Sequence, residues 1–442
     1  MMKTSATAPS TTLSIYKCLW LVGLCLFFFS SYNLTNSFTA SRADVTSIVF
    51  SWESLIPLWS WTIVPYWSID LMYGLAILLA TSKQSVKILC LRLLTAQIIC
   101  IGCFLLFPLK FSYERPALDG FFGWLFEVLM GFDKPFNQAP SLHITLLVIL
   151  WQFYAGYFKS VATKYLLNIW CLLIALSVLT TWQHHFFDIP TGLWVGCLCI
   201  WLWPDNEQSL FKNASRLKNG KWVTLYSVFA LITYGLAVYF KHEALWLLWL
   251  AGALVLVAIN YLLLGAKGFQ KQPNGRFKLA IAILYLPYWV VMWLNSRLWT
   301  INHASPDMIE DKLYLGRIAE TKTLKAYQFV SVLDLCAELP IAHFKGNYTL
   351  IPVLDMTPLT AAQCQQSAEV INQYYQKGKL LVCCALGYSR SATAVIAWLL
   401  WTHRAQNLDD AIAKVKACRS SIVISKAQRV ILTEWFLQLK KG

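Results

Sequence analysis

Charged residues are scarce in this chain: they make up 13% of its 442 residues, and only 22 residues are acidic. Soluble domains commonly carry about 25% charged residues, so the shortage excludes a chain built only of soluble domains. Hydrophobic residues account for 57% of the chain, with 21 tryptophans among them. The composition therefore favours a membrane protein with a smaller soluble part.

The chain has 13 cysteines, but they lack the repeated spacing of a disulfide framework or of a metal site. Cys100 and Cys103 make the single C-x2-C pair, inside an apolar run with no second pair and no histidine nearby. This arrangement argues against a disulfide framework and offers no ligand set for zinc. No internal repeat or low-complexity tract is visible in the sequence. We therefore predict neither a metal nor a cofactor.

Long apolar runs are abundant, and nine of them approach or exceed the roughly 18 residues that signal a membrane span. The first has the position of a signal peptide but lacks a small-residue cleavage pattern, so we predict a retained helix. The predicted spans are Ser14–Ser31, Trp67–Ala80, Ile88–Phe107, Ser141–Phe158, Leu166–Thr181, Ile189–Trp203, Val223–Phe240, Leu245–Leu264 and Leu279–Leu294.

Much of the net charge of +15 lies in short loops between these runs. Basic loops alternate with loops that lack the bias, as expected when positive loops stay on the cytoplasmic side of a membrane. The charge therefore indicates topology and contact with a lipid bilayer, and not a nucleic-acid partner. The basic loop residues are Lys83, Lys87, Lys159, Lys164, Lys212, Arg216, Lys218, Lys221, Lys267, Lys271, Arg276 and Lys278.

Three blocks follow one another along the chain. Residues 12–204 are predicted to form a bundle of six spans. Residues 221–296 add two spans and a third apolar segment, which Pro287 interrupts. Residues 300–442 have the mixed composition of a soluble domain. The predicted architecture is thus a polytopic helical membrane bundle followed by a soluble domain.

The soluble block alternates apolar strands with helices. This alternation predicts an α/β domain with a central, mostly parallel sheet flanked by helices and ligands at the carboxyl ends of the strands. The predicted strands are Phe329–Leu335, Tyr348–Val353 and Leu380–Cys383, and the predicted helices are Ala361–Tyr375, Ala392–Trp401, Asp409–Cys418 and Ser425–Leu439.

The loop from Cys384 to Ser391 joins an apolar strand to a helix. Backbone N–H groups at a helix N-terminus favour negative charge, which lowers the pKa of a thiol there and binds phosphate oxygens. Gly387 lets the loop curl, Arg390 can hold two phosphoryl oxygens, and Ser391 can hydrogen-bond the sulfur. The alternative is a buried structural cysteine before an ordinary helix cap. The predicted phosphate-binding residues are Ala385, Leu386, Gly387, Tyr388, Ser389 and Arg390.

The spacing Cys-x5-Arg-Ser resembles the active-site loop of the dual-specificity class of cysteine-dependent phosphatases. The resemblance covers most of residues 305–440: residues 311–317 are similar to the family's opening strand, and residues 330–338 to its next strand and turn. It implies the dual-specificity phosphatase fold and a cysteinyl-phosphate intermediate on Cys384.

The family also requires a general acid on a separate loop. Asp355 lies about thirty residues before Cys384, where the resemblance places that acid. Asp334 is the competing candidate, but its place at a strand end suits the role less well. A helix-capping aspartate is the structural alternative for Asp355.

Two departures from the family pattern bear on function. Cys383 stands where the family usually has a histidine that supports the loop, which puts the rate and pH optimum in doubt. No basic residue lies between Ala385 and Ser389. That favours a phosphomonoester of modest charge over a multiply phosphorylated inositide.

Three polar clusters interrupt the first six predicted spans and fall on the same, non-cytoplasmic face. Ionisable residues at span ends are functional candidates. Asp188 is one helical turn from His184 and can orient it for attack on phosphorus. His143 can protonate a leaving group, and Arg115 can hold phosphoryl oxygens. The clusters contain Arg115, then Ser141 and His143, then His184, His185 and Asp188.

The order of these clusters resembles the type-2 phosphatidic acid phosphatase superfamily, over about residues 60–200. It is closest to the branch of inositol-phosphoceramide and sphingomyelin synthases, which shares His-x3-Asp and so favours His184 over His185. Pro108 stands where Lys is usual, Leu142 where Gly is common, and Val178 where hydrolases have Arg. A transferase is therefore an alternative to a hydrolase, and a degenerate polar belt is the structural alternative.

The whole chain resembles bacterial membrane proteins that fuse these two domains. The expected function is hydrolysis of a phosphomonoester on a lipid or lipid headgroup at the bacterial inner membrane. A membrane-anchored protein phosphatase and a weakly active sensor of phosphorylated ligands are the alternatives. Nine spans place residues 300–442 outside the cytoplasm, whereas a catalytic thiolate is better protected in a reducing compartment. An interfacial Leu279–Leu294 would remove that conflict.

Overall fold

The computed structural model describes residues 11–205, 210–211, 214 and 219–440, without the side chain of Phe132. The chain divides into two compact units, Met1–Lys212 and Asn213–Gly442. Residues 221–296, which the sequence sets apart as a block, belong to the same unit as residues 300–442. Of the basic loop residues, Lys212, Arg216 and Lys218 lie outside the described part of the chain.

The described part of the first unit contains seven α-helices around an apolar core. Three of them begin after a serine whose hydroxyl oxygen accepts a backbone N–H of the first turn, and these serines are Ser82, Ser141 and Ser160. Six helices overlap predicted spans, but two of these, α5 with 16 residues and α7 with 15, are shorter than a full span needs. The helix α4, with 13 residues, is additional and is shorter still. The helices are α1 (Thr11–Ala40), α2 (Ile63–Leu79), α3 (Lys83–Leu106), α4 (Gly120–Phe132), α5 (Leu142–Tyr157), α6 (Val161–Thr180) and α7 (Asp188–Leu202).

Seven helical segments among the described residues are long and apolar enough to cross a membrane, judged by length and composition. Large apolar side chains on them are exposed, for example Leu19 at 68% and Leu26 at 68% on α1. Exposed apolar surface of this kind marks a membrane or protein interaction face. The segments are Thr11–Ala40, Ser60–Leu79, Lys83–Leu106, Val161–Thr180, Gly220–Phe240, His242–Phe269 and Leu279–Trp299.

The second unit begins with three apolar helices. They are α8 (Gly220–Phe240), α9 (Leu247–Ile259) and α10 (Leu279–Trp299), and a π-helical turn, Asn260–Leu264, extends α9. The helix α10 is continuous over 21 residues although it contains Pro287. The proline therefore does not divide the last predicted span.

A five-stranded sheet follows, in the order β1-β2-β5-β3-β4. Only β1 is antiparallel to its neighbour, and the other pairs are parallel. The central strand β5 lies between β2 and β3, so the loop that follows Cys384 leaves from the middle of the sheet. The strands are β1 (Asp307–Glu310), β2 (Leu313–Arg317), β3 (Ser331–Cys336), β4 (Asn347–Val353) and β5 (Leu380–Cys384).

Five helices flank the sheet, and their buried faces complete its core. Trp398 on α13 is fully buried, as are Leu333 and Val382 of the central strands. The mostly parallel sheet flanked by helices agrees with the prediction, whereas β1 was not predicted. The helices are α11 (Thr321–Tyr327), α12 (Ala361–Tyr375), α13 (Arg390–Trp401), α14 (Leu408–Cys418) and α15 (Lys426–Leu439).

Candidate active sites

Cys384 is the last residue of β5, and its sulfur faces the loop that leads to the first turn of α13. The Gly387 N–H donates to this sulfur over 3.2 Å, and the Ser391 hydroxyl donates to it over 3.2 Å. Both donors stabilise a thiolate more than a thiol, because they offer hydrogens to the electron-rich sulfur. Of these two donors, the sequence predicts the Ser391 hydroxyl as a partner of the sulfur, whereas it assigns Gly387 only the curl of the loop.

Gly387 brings the loop against the sheet. Its φ is +76°, and a Cβ built on it would lie 2.4 Å from the carbonyl carbon of Gly316 in β2. A side chain at this position is excluded both by the left-handed backbone and by that contact. The glycine therefore fixes how closely the loop approaches β2.

Arg390, at the start of α13, is buried, and its guanidinium donates hydrogen bonds to Glu338 and to a backbone carbonyl. Its guanidinium forms a two-pronged contact with Glu338, with N–O distances of 2.9 and 2.7 Å. It also donates to the Val353 carbonyl over 2.8 Å. Burial alone would raise the pKa of Glu338, but the Arg390 charge outweighs it and the pKa is lowered. The pair therefore stays ionised and orients the guanidinium.

Asp355 reaches the same guanidinium. Its Oδ1 lies 2.9 Å from Arg390 Nη2, and the carboxyl is partly accessible. Burial raises the pKa of Asp355; Arg390 lowers it and Glu338 raises it, leaving the pKa above its ordinary value. A carboxyl that holds its proton at higher pH beside the phosphate clamp has the property required of a general acid.

The competing candidate, Asp334, is engaged elsewhere. It lies in the middle of the sheet, fully buried, and pairs with Lys271 Nζ at 2.7 Å. It also accepts a hydrogen bond from the Tyr348 hydroxyl over 2.8 Å. Burial lowers the pKa of Lys271, but the Asp334 charge outweighs it and the pKa is raised. Lys271, grouped by the sequence with topology-setting loop charges, thus belongs to the core of the second unit.

Arg419 supports the other side of the loop and was not identified from the sequence. It is fully buried and donates to the Gly387 carbonyl over 3.0 Å and the Leu386 carbonyl over 3.3 Å. An ion pair with Asp307 at 2.6 Å balances its charge, and its guanidinium stacks on the Tyr388 ring. By binding carbonyl oxygens, Arg419 leaves the N–H groups of the loop available to an anion.

The remaining loop residues take structural positions around the sulfur. Ala385 is buried beside it, and the Ser389 carbonyl accepts the Thr393 N–H in the first turn of α13. Cys383, at the position of the usual histidine, is fully buried, and burial and the nearby Asp334 charge raise its pKa well above the ordinary value. A neutral thiol at Cys383 gives the loop no charged support.

The first unit brings the predicted histidine cluster together. His184 Nδ1 lies 3.1 Å from Asp188 Oδ2, and His184 Nε2 lies 3.2 Å from the Ser141 hydroxyl. A carboxylate on Nδ1 favours the proton there and leaves the Nε2 lone pair as the nucleophile. His143 stacks on Tyr66, with ring centroids 4.1 Å apart, and shares electrostatic interactions with His184.

His185 and Arg115 are held in different ways. His185 pairs with Glu53 at 2.8 Å through Nδ1 and contacts Ser112 through Nε2, so both its nitrogens are used structurally. Arg115 donates to the carbonyls of Thr181 and Trp182 just before the histidines. Glu53 and Asp133, which interacts electrostatically with His184 and Arg115, were not identified from the sequence.

Comparison with known proteins concerns the second unit. Residues 313–438 match the model of the dual specificity phosphatase catalytic domain. Dual specificity protein phosphatase 2 of Mus musculus is 34% identical over 128 residues, 27% of this chain and 40% of that protein. Dual specificity protein phosphatase 1 of Arabidopsis thaliana is 32% identical over 120 residues, 26% of this chain and 60% of that protein.

The chain thus spans between 40% and 60% of the length of these curated relatives. Among solved structures, human DUSP28 covers 30% of this chain and 98% of its own, at 20% identity and a TM-score of 0.29. The match to the family model assigns residues 313–438 of this chain to the dual specificity phosphatase catalytic domain.

Proposed function

We propose that the protein is a membrane-bound phosphatase that hydrolyses a phosphomonoester through a cysteinyl-phosphate intermediate. The observation that carries this proposal is the Cys384 sulfur, held by the Gly387 N–H and the Ser391 hydroxyl beside Arg390. In the first step the Cys384 thiolate attacks phosphorus and the bond to the leaving oxygen breaks. Asp355 gives its proton to that oxygen, and Arg390 with the loop N–H groups holds the phosphoryl oxygens.

The second step returns the enzyme to its starting state. Water attacks the phosphorus of the cysteinyl phosphate, and the Asp355 carboxylate takes the proton that the water loses. The phosphorus–sulfur bond breaks, inorganic phosphate leaves, and the Ser391 hydroxyl stabilises the departing thiolate. Apart from the substrate and one water molecule, the two steps use side chains and N–H groups of this chain.

The substrate class that we propose is a phosphorylated lipid or lipid headgroup. The catalytic domain shares a compact unit with three apolar helices, and each lies within a segment long enough to cross a bilayer. We propose that the chain is an integral protein of a bacterial inner membrane, which would concentrate such substrates near Cys384. The absence of basic residues from Ala385 to Ser389 favours a single phosphate group over several.

The test uses the full chain in phosphatidylcholine vesicles, with His184→Ala present so that only the cysteine site is measured. We expect turnover of p-nitrophenyl phosphate, and faster turnover of vesicle-borne phosphatidylglycerophosphate than of a phosphotyrosine peptide. Faster peptide turnover would identify a membrane-anchored protein phosphatase instead. No turnover of any ester would refute hydrolysis and leave a sensor of phosphorylated ligands.

The raised pKa of Asp355 leads us to predict how kcat depends on pH. Catalysis needs the protonated acid, so kcat for an ester with a poor leaving group should fall as pH rises through this pKa. Asp355→Asn should abolish this fall of kcat with rising pH, and it should lower kcat for phenyl phosphate by about 10²-fold. The kcat of the same variant for p-nitrophenyl phosphate should fall much less, because that leaving group needs little protonation. Equal losses on both esters would show that Asp355 is not the acid.

We propose a second phosphoryl-transfer site in the first unit, as a hydrolase or a transferase of the phosphatidic acid phosphatase type. The observation that favours it is the His184–Asp188 contact of 3.1 Å, with Ser141 on the opposite nitrogen. His184 would form a phosphohistidine, and His143 would protonate the leaving oxygen. Arg115 and Ser141 would hold the phosphoryl group.

This second site is tested in a Cys384→Ser background, so that only the histidine chemistry remains. His184→Ala should lower release of phosphate from vesicle-borne phosphatidic acid, or transfer to an added alcohol, by about 10²-fold or more. His343→Ala removes an exposed histidine in the same way and serves as the matched control. Equal rates in the two variants would exclude His184 as the nucleophile.

A further inference from the structure

The apolar helices of the second unit contact the loop that carries the general acid. Tyr261, in the π-helical turn after α9, donates its hydroxyl hydrogen to the Asp355 backbone carbonyl over 3.0 Å. Its side chain is buried, and its ring lies 5.3 Å from that of Tyr226 on α8. Tyr261 is thus held by packing from a second helix, and it can fix the position of the Asp355 main chain.

The same helices contact the phosphate loop at a separate point. Ser296, near the end of α10, is fully buried and donates its hydroxyl hydrogen to the Ala385 carbonyl over 2.6 Å. Because the trans peptide is planar, holding this carbonyl also fixes the Leu386 N–H on the opposite side of the peptide. That N–H is one of the groups that the loop offers to a phosphate oxygen.

Both contacts are made to main-chain atoms of loops that take part in the reaction. A displacement of about 1 Å in a catalytic group can lower the rate by about 10²-fold. Tyr261 reaches the loop of the acid, whereas Ser296 reaches the loop that binds the anion. Loss of the first contact should therefore affect protonation of the leaving group, and loss of the second should affect phosphate binding.

We propose that Tyr261 and Ser296 are positioning residues: the apolar helices complete the phosphatase site by fixing the Asp355 loop and the Ala385 peptide. The proposal rests on the phosphatase activity proposed above. It gives the helices a part in catalysis, in addition to attachment to a membrane. It also implies that residues 300–442 alone would have poorly ordered catalytic loops.

The kinetic test uses the full chain in detergent with His184→Ala present. Tyr261→Phe should lower kcat for phenyl phosphate about tenfold more than kcat for p-nitrophenyl phosphate, because only the first leaving group needs the acid. Ser296→Ala should weaken inhibition by vanadate about tenfold and leave the ratio between the two esters unchanged. Tyr234→Phe, the same change at an exposed tyrosine of α8, should alter neither quantity.

Amide hydrogen exchange supplies a readout that needs no activity. Tyr261→Phe should speed exchange in residues 354–358, and Ser296→Ala in residues 385–389, each without affecting the other loop. If the wild type turns over no ester, the proposed activity is wrong, but the exchange result still decides whether these residues position the loops. Unchanged exchange in both loops, or an equal loss on both esters in Tyr261→Phe, would overturn the proposal.

Discussion

Replacing Cys384 with serine should abolish phosphomonoester hydrolysis, with a loss of about 10⁴-fold or more. A serine hydroxyl is far less nucleophilic than a thiolate. The groups that contact the sulfur, the Gly387 N–H and the Ser391 hydroxyl, both donate hydrogen bonds, so neither would act as a base for a serine at this position. The same contacts would persist on a serine oxygen. The variant should therefore bind vanadate with an affinity close to that of the wild type.

Cys418→Ser is the matched control, because Cys418 is exposed on the surface of the same domain. The measurement is turnover of p-nitrophenyl phosphate by the full chain with His184→Ala present. Acid-quenched phosphoenzyme should form in the wild type and be missing from the Cys384 variant. Residual turnover above about 1% of the wild type would mean that another residue attacks phosphorus.

The Glu338→Gln substitution should cost about 3–5 kcal/mol of unfolding free energy, because it leaves the Arg390 guanidinium buried without its main counter-charge. It should also move the Asp355 limb of the pH–rate profile to lower pH, since the Glu338 charge raises the pKa of Asp355. Both effects follow from one carboxylate that touches Arg390 and lies near Asp355. The thermal midpoint of the full chain and the kcat profile measure them.

Glu320→Gln is the control for this prediction. Glu320 also pairs with an arginine, Arg297, at 2.8 Å, but its side chain is 48% exposed. Water screens such a pair, so its loss should cost less than about 1 kcal/mol. Equal midpoints for the two variants would show that burial of the Glu338–Arg390 pair does not stabilise the domain as its geometry suggests.

Much of the cysteine site could be predicted because its parts are local in sequence. Cys384, Gly387, Arg390 and Ser391 lie within eight residues, and a strand followed by a helix fixes how they meet. The choice between Asp355 and Asp334 was harder. Both follow or occupy strands, and their contacts separate them: Asp334 pairs with Lys271, whereas Asp355 lies against Arg390.

The supporting residues could not be predicted, because they act over long sequence distances. Glu338 and Arg419 resemble ordinary surface charges in the sequence, yet each is buried against a catalytic residue or loop. Tyr261 lies in a run that the sequence predicts only as a membrane span, Leu245–Leu264, and Ser296 lies just beyond the end of another, Leu279–Leu294. A hydrophobic pattern indicates which segments are buried, but not which hydroxyl meets which carbonyl.

The histidine site shows an intermediate case. The spacing of His184 and Asp188 predicts their contact, because residues four apart share a helix face. Here they meet across the turn that opens α7, and Ser141 comes from a different helix. Glu53 occupies Nδ1 of His185, which leaves His184 as the candidate nucleophile. Because Glu53 is more than a hundred residues from His185 in the sequence, no local pattern predicts their contact.

The Lys271–Asp334 pair bears on the order in which the protein is made. Lys271 lies between α9 and α10, so the ribosome releases it before any strand of the sheet. When β3 emerges, its Asp334 carboxylate can meet a cation that is already present in the chain, and the sheet can close over a neutralised pair. The strand is therefore suited to assemble after the apolar helices that precede it in the chain, with these helices serving as a template for the domain that follows them.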